Sequence, residues 1–264
     1  MDLKLKGKRA LVTGSTAGIG YTAAQLLAQE GAEVVVNGRK QATVDDALAR
    51  IRLSCAGAVV HGAAIDLSSA QGCEVLVKRF PHIDVLVNNL GIFEPKPFED
   101  IADADWLRFF ETNVLSGVRL TRAYLPGMRE RNWGRIVFVS SESALQIPAE
   151  MIHYGMTKTA QLAIARGVAE TTAGTGVTVN SVLPGPTASE GVSTFVAQMA
   201  QARGVDFQTM EREFFSTARP SSLLRRFATP QEVAAMIAYV CSEAASATNG
   251  AALRVDGGVV RSIA

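Results

Sequence analysis

Tyr154 and Lys158 are two side chains of complementary chemistry that stand four residues apart. In a helix this spacing places both on one face, a turn from each other. A free tyrosine has a pKa near ~10 and is a poor base at neutral pH, but a neighbouring ammonium group favours its phenolate form. We therefore expect Tyr154 to act as a general acid or base, with Lys158 assisting it.

Ser141 and Asn113 are polar residues that could complete such a site. Ser141 ends a predicted strand thirteen residues before Tyr154, where its hydroxyl could hydrogen-bond a substrate oxygen and stabilise developing charge. Asn113 stands inside a predicted helix, although asparagine is a mediocre helix former. It could bend that helix and hold a water that extends a proton relay from Lys158. Each residue alone could be an ordinary surface group, but together they indicate an active site.

A glycine-rich turn, TGSTAGIG at residues 13–20, joins the first predicted strand to a helix. Glycine allows a tight turn and a close approach to a phosphate, and the helix N-terminus favours an anion. A glycine cluster alone could serve any strand-to-helix turn, but its place after the first strand predicts a dinucleotide site. The expected contacts are Gly14, Ser15, Thr16, Gly18, Ile19 and Gly20.

The loop after the second predicted strand reads Asn37-Gly38-Arg39-Lys40. An acidic residue, which commonly holds the NAD ribose, does not stand here. Arg39 could pair with the 2′-phosphate of NADP. The alternative is a solvated pair of cations, but we expect NADP rather than NAD.

Two later loops offer further cofactor contacts. Asp66 could accept a hydrogen bond from the adenine amino group, or it could cap the next helix. Asn88 and Asn89 could tie strand ends together, and Gly91 would let the backbone pass the cofactor ribose. The same tetrapeptide could also be a simple turn.

Short apolar runs alternate with helical patterns along most of the sequence. The predicted strands are 9–13, 33–37, 59–63, 84–88, 135–140, 178–183 and 252–255, and the predicted helices are 18–30, 41–54, 68–80, 103–130, 151–173 and 230–243. Continuous Val, Ile and Leu runs are typical of strands buried on both faces. We therefore predict an α/β fold, a doubly wound Rossmann-type parallel sheet of about seven strands with helices on both faces, in a single domain over residues 1–264.

Residues 189–226 interrupt this alternation. The segment is polar, but its large apolar residues are spaced as in two short amphipathic helices: Phe195, Met199, Phe207, Met210, Phe214 and Phe215. Long excursions of this kind are usually functional lids or disordered segments. We expect a substrate lid.

Composition excludes several classes of protein. The 264 residues carry a net charge of +1, which offers no basic field for nucleic acid. No run approaches the ~20 apolar residues that span a membrane, so we expect no membrane partner. The three scattered cysteines and three histidines lack metal-ligand spacing, so we expect no metal and reduced thiols in the cytoplasm.

Taken together, these motifs resemble the short-chain dehydrogenase/reductase family from Lys6 to Gly258. The resemblance implies that Asn113, Ser141, Tyr154 and Lys158 form the catalytic set and that Tyr154 and Lys158 also contact the cofactor. It implies that Pro184 and Gly185 border the nicotinamide and that Thr187 and Ser189 contact its carboxamide or the pyrophosphate. It also implies a homotetramer, with the helices that carry Asn113 and Tyr154 forming one interface.

The leading functional hypothesis is an NADP-preferring oxidoreductase that interconverts a secondary alcohol and a ketone, with Tyr154 as general acid/base. A catalytically silent dinucleotide-binding sensor is the alternative, although such proteins typically lose a catalytic residue. A third possibility is a non-redox net reaction on a nucleotide sugar. Two departures from the family pattern, Leu90 and Ala144, affect the expected substrate shape and not the reacting groups.

Residues around Ser141 and Tyr154 have open roles. His153 points about 100° from Tyr154 on a helix, which favours packing over a role as a second acid. Glu142 could meet a polar or cationic substrate group, or form a salt bridge with an Arg or Lys. The expected pocket lining opposite the lid is Gln146, Pro148 and Met151.

Overall fold

The strands of the sheet are apolar on both faces because helices cover both. The computed structural model describes residues 2–263, without the side chains of Ser193, Thr194, Phe195, Gln198, Met199 and Ala202. In the second strand, Val34 and Val36 pack into one apolar layer, whereas Val35 packs into the layer on the other face. Alternating side chains therefore bury a continuous apolar run on two sides.

Within the described residues, parallel strands form a seven-stranded sheet in the order β3-β2-β1-β4-β5-β6-β7. The strands are β1 (Arg9–Val12), β2 (Glu33–Gly38), β3 (Val60–Ala64), β4 (Val85–Asn88), β5 (Gly134–Val139), β6 (Val177–Pro184) and β7 (Ala252–Val255). The order reverses between β1 and β4, which is where ligands bind in doubly wound sheets. This is the predicted Rossmann-type fold.

Helices connect the strands and cover both faces of the sheet. They are α1 (Gly18–Gln29), α2 (Gln41–Ser54), α3 (Ala70–Arg79), α4 (Asp103–Phe110), α5 (Ser116–Glu130), α6 (Ile152–Glu170), α7 (Glu190–Arg203), α8 (Phe207–Thr217) and α9 (Pro230–Val240). The predicted elements are confirmed to within a few residues, with one difference. The helix expected over 103–130 is α4 and α5 joined through a π-helical turn, Glu111–Leu115.

Helices α7 and α8 are the two predicted helices of the 189–226 segment, and they share a small apolar cluster. Met210 and Phe215 are buried there, and Phe214 stacks on Phe227 with ring centroids 5.2 Å apart. Phe207 is 37% exposed. The side chains of Phe195 and Met199, which we expected to be buried here as well, lie outside the described residues.

Candidate active site

Ser141 lies at the carboxyl end of β5, where it begins a short 3-10 turn, Glu142–Ala144. Its Oγ accepts from the backbone N–H of Ser143 at 3.1 Å and donates to Glu142 Oε2 at 2.6 Å. Ser140 Oγ donates instead to the backbone oxygen of Lys158 at 2.8 Å. Ser140 therefore ties α6 to β5, and Ser141 is the hydroxyl that remains at the site.

Tyr154 and Lys158 lie on the first turns of α6, beside the end of β5. Lys158 Nζ is 5.6 Å from the centre of the Tyr154 ring. Burial raises the pKa of Tyr154, and the Glu142 carboxylate raises it further, whereas the hydrogen bond with Ser141 and the charge of Arg219 lower it. Burial lowers the pKa of the Lys158 ammonium to about 8. The expected lowering of the tyrosine pKa is therefore outweighed by burial among the protein's own groups.

Asn113 lies in the π-helical turn between α4 and α5, which confirms that it interrupts a regular helix. Its amide side chain is buried and bonds to the neighbouring loop: Oδ1 accepts from Ile92 N–H at 2.8 Å, and Nδ2 donates to the Ile92 carbonyl at 3.0 Å. Nδ2 also donates to Thr157 Oγ1 on α6 at 3.0 Å. The side chain thus joins the π-turn, the loop after β4 and the helix of Tyr154.

Gln161 is a site residue that the sequence analysis missed. Its buried side chain donates to the backbone oxygen of Asn113 at 2.5 Å, and its Oε1 accepts from Lys158 Nζ at 3.4 Å. Lys158 Nζ also donates to the Val139 carbonyl at 2.9 Å. The amide of Gln161 therefore bridges Lys158 Nζ to the backbone carbonyl of Asn113. A glutamine one turn beyond Lys158 in an otherwise apolar stretch was the available signal.

Glu142 forms the salt bridge that was one of its two open roles. Arg219, which follows α8, donates from Nε to Glu142 Oε1 at 2.9 Å, and both side chains are buried. Arg219 Nη1 approaches Glu150 Oε1 at 3.4 Å. An arginine from residues 189–226 thus reaches the residue next to Ser141.

The glycine-rich turn forms a cleft of about 240 Å³ lined by residues 17–20, Asn89 and 189–191. Gly14 and Gly18 adopt φ values of 60° and 56°, which favour glycine. A Cβ on Gly20 would lie 2.5 Å from the Gly14 carbonyl oxygen and would also collide with the Asn89 amide. Only glycine fits, as a phosphate cradle requires. At the start of α1, Gly18 N–H donates to the Glu190 carboxylate at 2.8 Å, so this helix end already holds an anionic group.

Ser15 and Asn89 hold the turn in shape. The buried Ser15 Oγ donates to the Val12 carbonyl at 2.6 Å and accepts from Asn37 N–H at 2.9 Å, so it supports the loop through internal bonds. Asn89 Nδ2 donates to the carbonyls of Thr13 and Gly14, at 2.9 and 3.0 Å. Asn89 thus ties the end of β4 to the end of β1, as the sequence analysis expected.

The side chains expected to meet the adenosine end are exposed. Arg39 forms no ion pair or hydrogen bond with another described residue. It lies close to the glycine-rich turn, because the side chain of Thr16 packs against the preceding residue, Gly38. Asp66 Oδ1 accepts from the N–H and hydroxyl of Ser68, at 3.0 and 2.8 Å. The cap of α3 is Ser69, so Asp66 shapes the preceding turn and does not cap the helix.

The remaining predicted contacts follow β6 and β4. Pro184 ends β6, and a Cβ on Gly185 would lie 2.6 Å from the Asp256 carbonyl oxygen, so only glycine fits there. The buried Thr187 donates from Oγ1 to the Gly185 carbonyl at 2.9 Å. A Cβ on Gly91 would lie 3.4 Å from Lys158 Nζ, so the loop after β4 passes directly beside Lys158.

His153 is a packing residue, as the helical geometry favoured. It is fully buried, and its ring centre lies 4.0 Å from that of Phe109. Neither ring nitrogen has a hydrogen-bond partner in the described part of the chain, and burial lowers the pKa of the His153 imidazole.

Across residues 2–263, no cluster of possible metal ligands was found. In the same range no helix is long and apolar enough to cross a bilayer.

Comparison with known proteins identifies relatives over the whole chain. The family model described as Enoyl-(Acyl carrier protein) reductase matches residues 14–260. The uncharacterized oxidoreductase YvaG of Bacillus subtilis is 48% identical, with 100% of both chains covered. The D-beta-hydroxybutyrate dehydrogenase of Cupriavidus necator is 37% identical, covering 97% of this chain and 99% of that protein.

A solved structure is similar over the same length. The L-sorbose reductase of Gluconobacter frateurii, complexed with NADPH and L-sorbose, has a TM-score of 0.93 and 30% sequence identity, with 100% of both chains covered.

Proposed function

The chain belongs to the short-chain dehydrogenase/reductase family and is an NAD(P)-dependent oxidoreductase, and we propose that it interconverts a secondary alcohol and a ketone with NADP(H). The carrying observation is the convergence of Ser141, Tyr154 and Lys158 at the carboxyl end of β5, beside the loop that holds Gly91. A catalytically silent relative would not need to keep all three groups together.

In the reductive direction the phenol of Tyr154 donates its proton to the carbonyl oxygen as that oxygen gains charge. For Ser141 to donate to the same oxygen, its hydroxyl would turn away from Glu142 Oε2, to which it donates at 2.6 Å. Hydrogen bonds to the Val139 carbonyl and to Gln161 hold Lys158 in position. A bound nicotinamide supplies the hydride in reduction and accepts it in oxidation. The raised pKa of Tyr154 keeps the phenol protonated at neutral pH, which suits proton donation.

Features of the turn support a nicotinamide dinucleotide with a 2′-phosphate. Gly14, Gly18 and Gly20 form the cradle, and the exposed Arg39 is available to a phosphate. The similar L-sorbose reductase is complexed with NADPH.

Residues 189–226 would act as the substrate lid. The three free, buried cysteines suit a reducing cytoplasm.

Titration with NADPH and NADH, followed by nicotinamide fluorescence, tests the cofactor assignment. We expect NADPH to bind more tightly than NADH, and Arg39→Ala to weaken NADPH binding by about 10- to 100-fold because a charged hydrogen-bonded pair is lost. Lys78→Ala, which removes an exposed cation from α3, is the control and should change neither Kd. Equal binding of both dinucleotides by the wild type and Arg39→Ala would refute the preference for NADP.

A further inference from the structure

The buried ion pair between Glu142 and Arg219 lies next to the Ser141 hydroxyl and is neither donor nor acceptor of the proton that Tyr154 would transfer. We propose that this pair is the substrate-recognition site and that the substrate is a neutral polyhydroxylated ketone or the corresponding polyol. The proposal rests on the alcohol–ketone activity proposed above, which it makes more specific.

The geometry places the pair within reach of a substrate held by Ser141. Glu142 Oε2 accepts from Ser141 Oγ at 2.6 Å, and it also accepts from the N–H and hydroxyl of Ser143, at 2.6 and 2.9 Å. Glu142 Oε1 accepts from Arg219 Nε at 2.9 Å. A single carboxylate therefore separates the catalytic hydroxyl from the guanidinium. Substituents on carbons next to the reacting carbonyl would meet this pair.

Arg219 retains hydrogen-bonding capacity for a ligand. Its Nη1 donates to the Ala218 carbonyl at 2.8 Å and approaches Glu150 Oε1 at 3.4 Å. Its Nη2 donates to no other residue in the part of the chain that the structure describes. The side chain is 10% exposed, and Nη2 is not among the buried polar atoms that lack a partner, so this donor is accessible to a ligand.

Charge decides the class of ligand. Glu142 and Glu150 place two carboxylates around the one guanidinium of Arg219, so an anionic substrate would meet net repulsion on this side of the site. A hydroxyl both donates and accepts, so vicinal hydroxyls can accept from the guanidinium and donate to the half-exposed Glu150 carboxylate, since Glu142 already accepts four hydrogen bonds. An apolar ketone would gain nothing from the pair, whose desolvation is costly. The arrangement therefore favours a neutral, hydroxyl-rich substrate.

Three ketones with the same number of carbon atoms test this assignment: L-erythrulose, butan-2-one and acetoacetate. The assay follows NADPH consumption by the full-length protein. We expect kcat/KM for L-erythrulose to exceed that for either other ketone by at least about 100-fold, because a site built to bind hydroxyls discriminates strongly against analogues without them. Arg219→Met and Glu142→Gln should each reduce that preference by at least about 10-fold. Arg212→Met, which removes an exposed arginine from the neighbouring α8, is the control and should keep it.

A structural role of the pair gives a different result. If Arg219→Met lowers the melting temperature but keeps the wild-type preference for L-erythrulose, the pair only fastens the lid and the proposal is wrong. Preference for acetoacetate or butan-2-one in the wild type would also overturn it.

Direct binding separates this proposal from the proposed activity. Saturation-transfer NMR with NADP⁺ should detect L-erythrulose on the wild type and not on Arg219→Met. If no ketone is reduced but this NMR difference is present, the recognition site stands and the proposed activity fails. If ketones are reduced but L-erythrulose does not bind in an Arg219-dependent way, the activity stands and the recognition site fails.

Discussion

At the scale of single residues, the candidate site combines Tyr154 and Lys158, which are close in the chain, with a charged pair that folding brings together, Glu142 and Arg219. Tyr154 and Lys158 could be paired from their spacing because four residues make about one helical turn. Arg219 lies 77 residues beyond its partner Glu142, and no local pattern relates the two positions. The effect of burial on Tyr154 was likewise invisible, because desolvation depends on packing that the sequence does not display.

The pH dependence of ketone reduction follows from the ionisation of Tyr154 and Lys158. Tyr154, whose pKa is raised, stays protonated across the neutral range, whereas Lys158 loses its charge above its pKa of about 8. We therefore expect kcat/KM for reduction to be level below about pH 8 and to fall above it, and alcohol oxidation to rise with pH as phenolate forms. Lys158→Arg keeps the charge at higher pH, so its falling limb should move upward. An unchanged limb in that variant would assign it to another group.

Gln161 is predicted to position Lys158. Gln161→Leu leaves the Asn113 carbonyl and the Lys158 ammonium without this partner, so the free energy of unfolding should fall by about 1–3 kcal/mol. Gln161→Glu places a carboxylate beside Lys158, which favours the ammonium form and should shift the falling limb of the pH profile upward. Gln29→Leu, an exposed change on α1, should alter neither. If Gln161 has a purely structural role, the pH at which kcat/KM falls should be the same in Gln161→Glu as in the wild type.

At the scale of elements, apolar periodicity was enough to predict the strands and most helices. The helix over 103–130 was predicted as one continuous element because a π-helical turn inserts no breaker residue, and Asn113 was its only visible signal. The amphipathic pattern after residue 189 predicted both α7 and α8. Their packing against Phe227, which lies beyond the predicted segment, could not be foreseen.

Substitution of Gly20 should disrupt the cofactor turn. The added methyl group of Gly20→Ala would collide with the Gly14 carbonyl and the Asn89 amide, so we expect a loss of about 1–3 kcal/mol in unfolding free energy and weaker NADPH binding. Gly167→Ala is the matched control on α6, where a Cβ has open space, and it should stabilise by up to about 1 kcal/mol. Chemical denaturation and NADPH titration measure both effects. Equal behaviour of the two variants would contradict the close packing.

At the scale of the whole molecule, alternating strands and helices predicted the parallel sheet, and the right-handed crossover rule restricted its topology. Because the strands are parallel, the glycine-rich turn lies at the same sheet edge as the loops after β4 and β5, and the reversal of strand order between β1 and β4 leaves a crevice there. Assembly was expected only from the resemblance to the family, because exposure of individual apolar residues is not visible in a sequence.

The expected homotetramer makes a prediction about α4, which runs into the turn that carries Asn113. Leu107 is 68% exposed on this helix, and Phe110 is 37% exposed. If a second copy covers this surface, Leu107→Asp should dissociate the assembly in analytical ultracentrifugation, because a carboxylate would be buried without a partner. Leu53→Asp changes a leucine that is 90% exposed on α2 and should leave the mass unchanged. A monomeric wild-type protein would contradict the expectation.

The most direct test of the central claim compares NADPH-dependent ketone reduction by the wild type and Tyr154→Phe, with the Kd for NADPH measured in parallel. Phenylalanine keeps the ring but cannot donate a proton, so we predict a loss of at least about 1,000-fold in kcat with little change in NADPH binding. The alcohol formed by the wild type should equal the NADPH consumed. A Tyr154→Phe variant that reduces ketones at the wild-type rate would contradict the account, as would a wild type that binds NADPH and reduces no ketone.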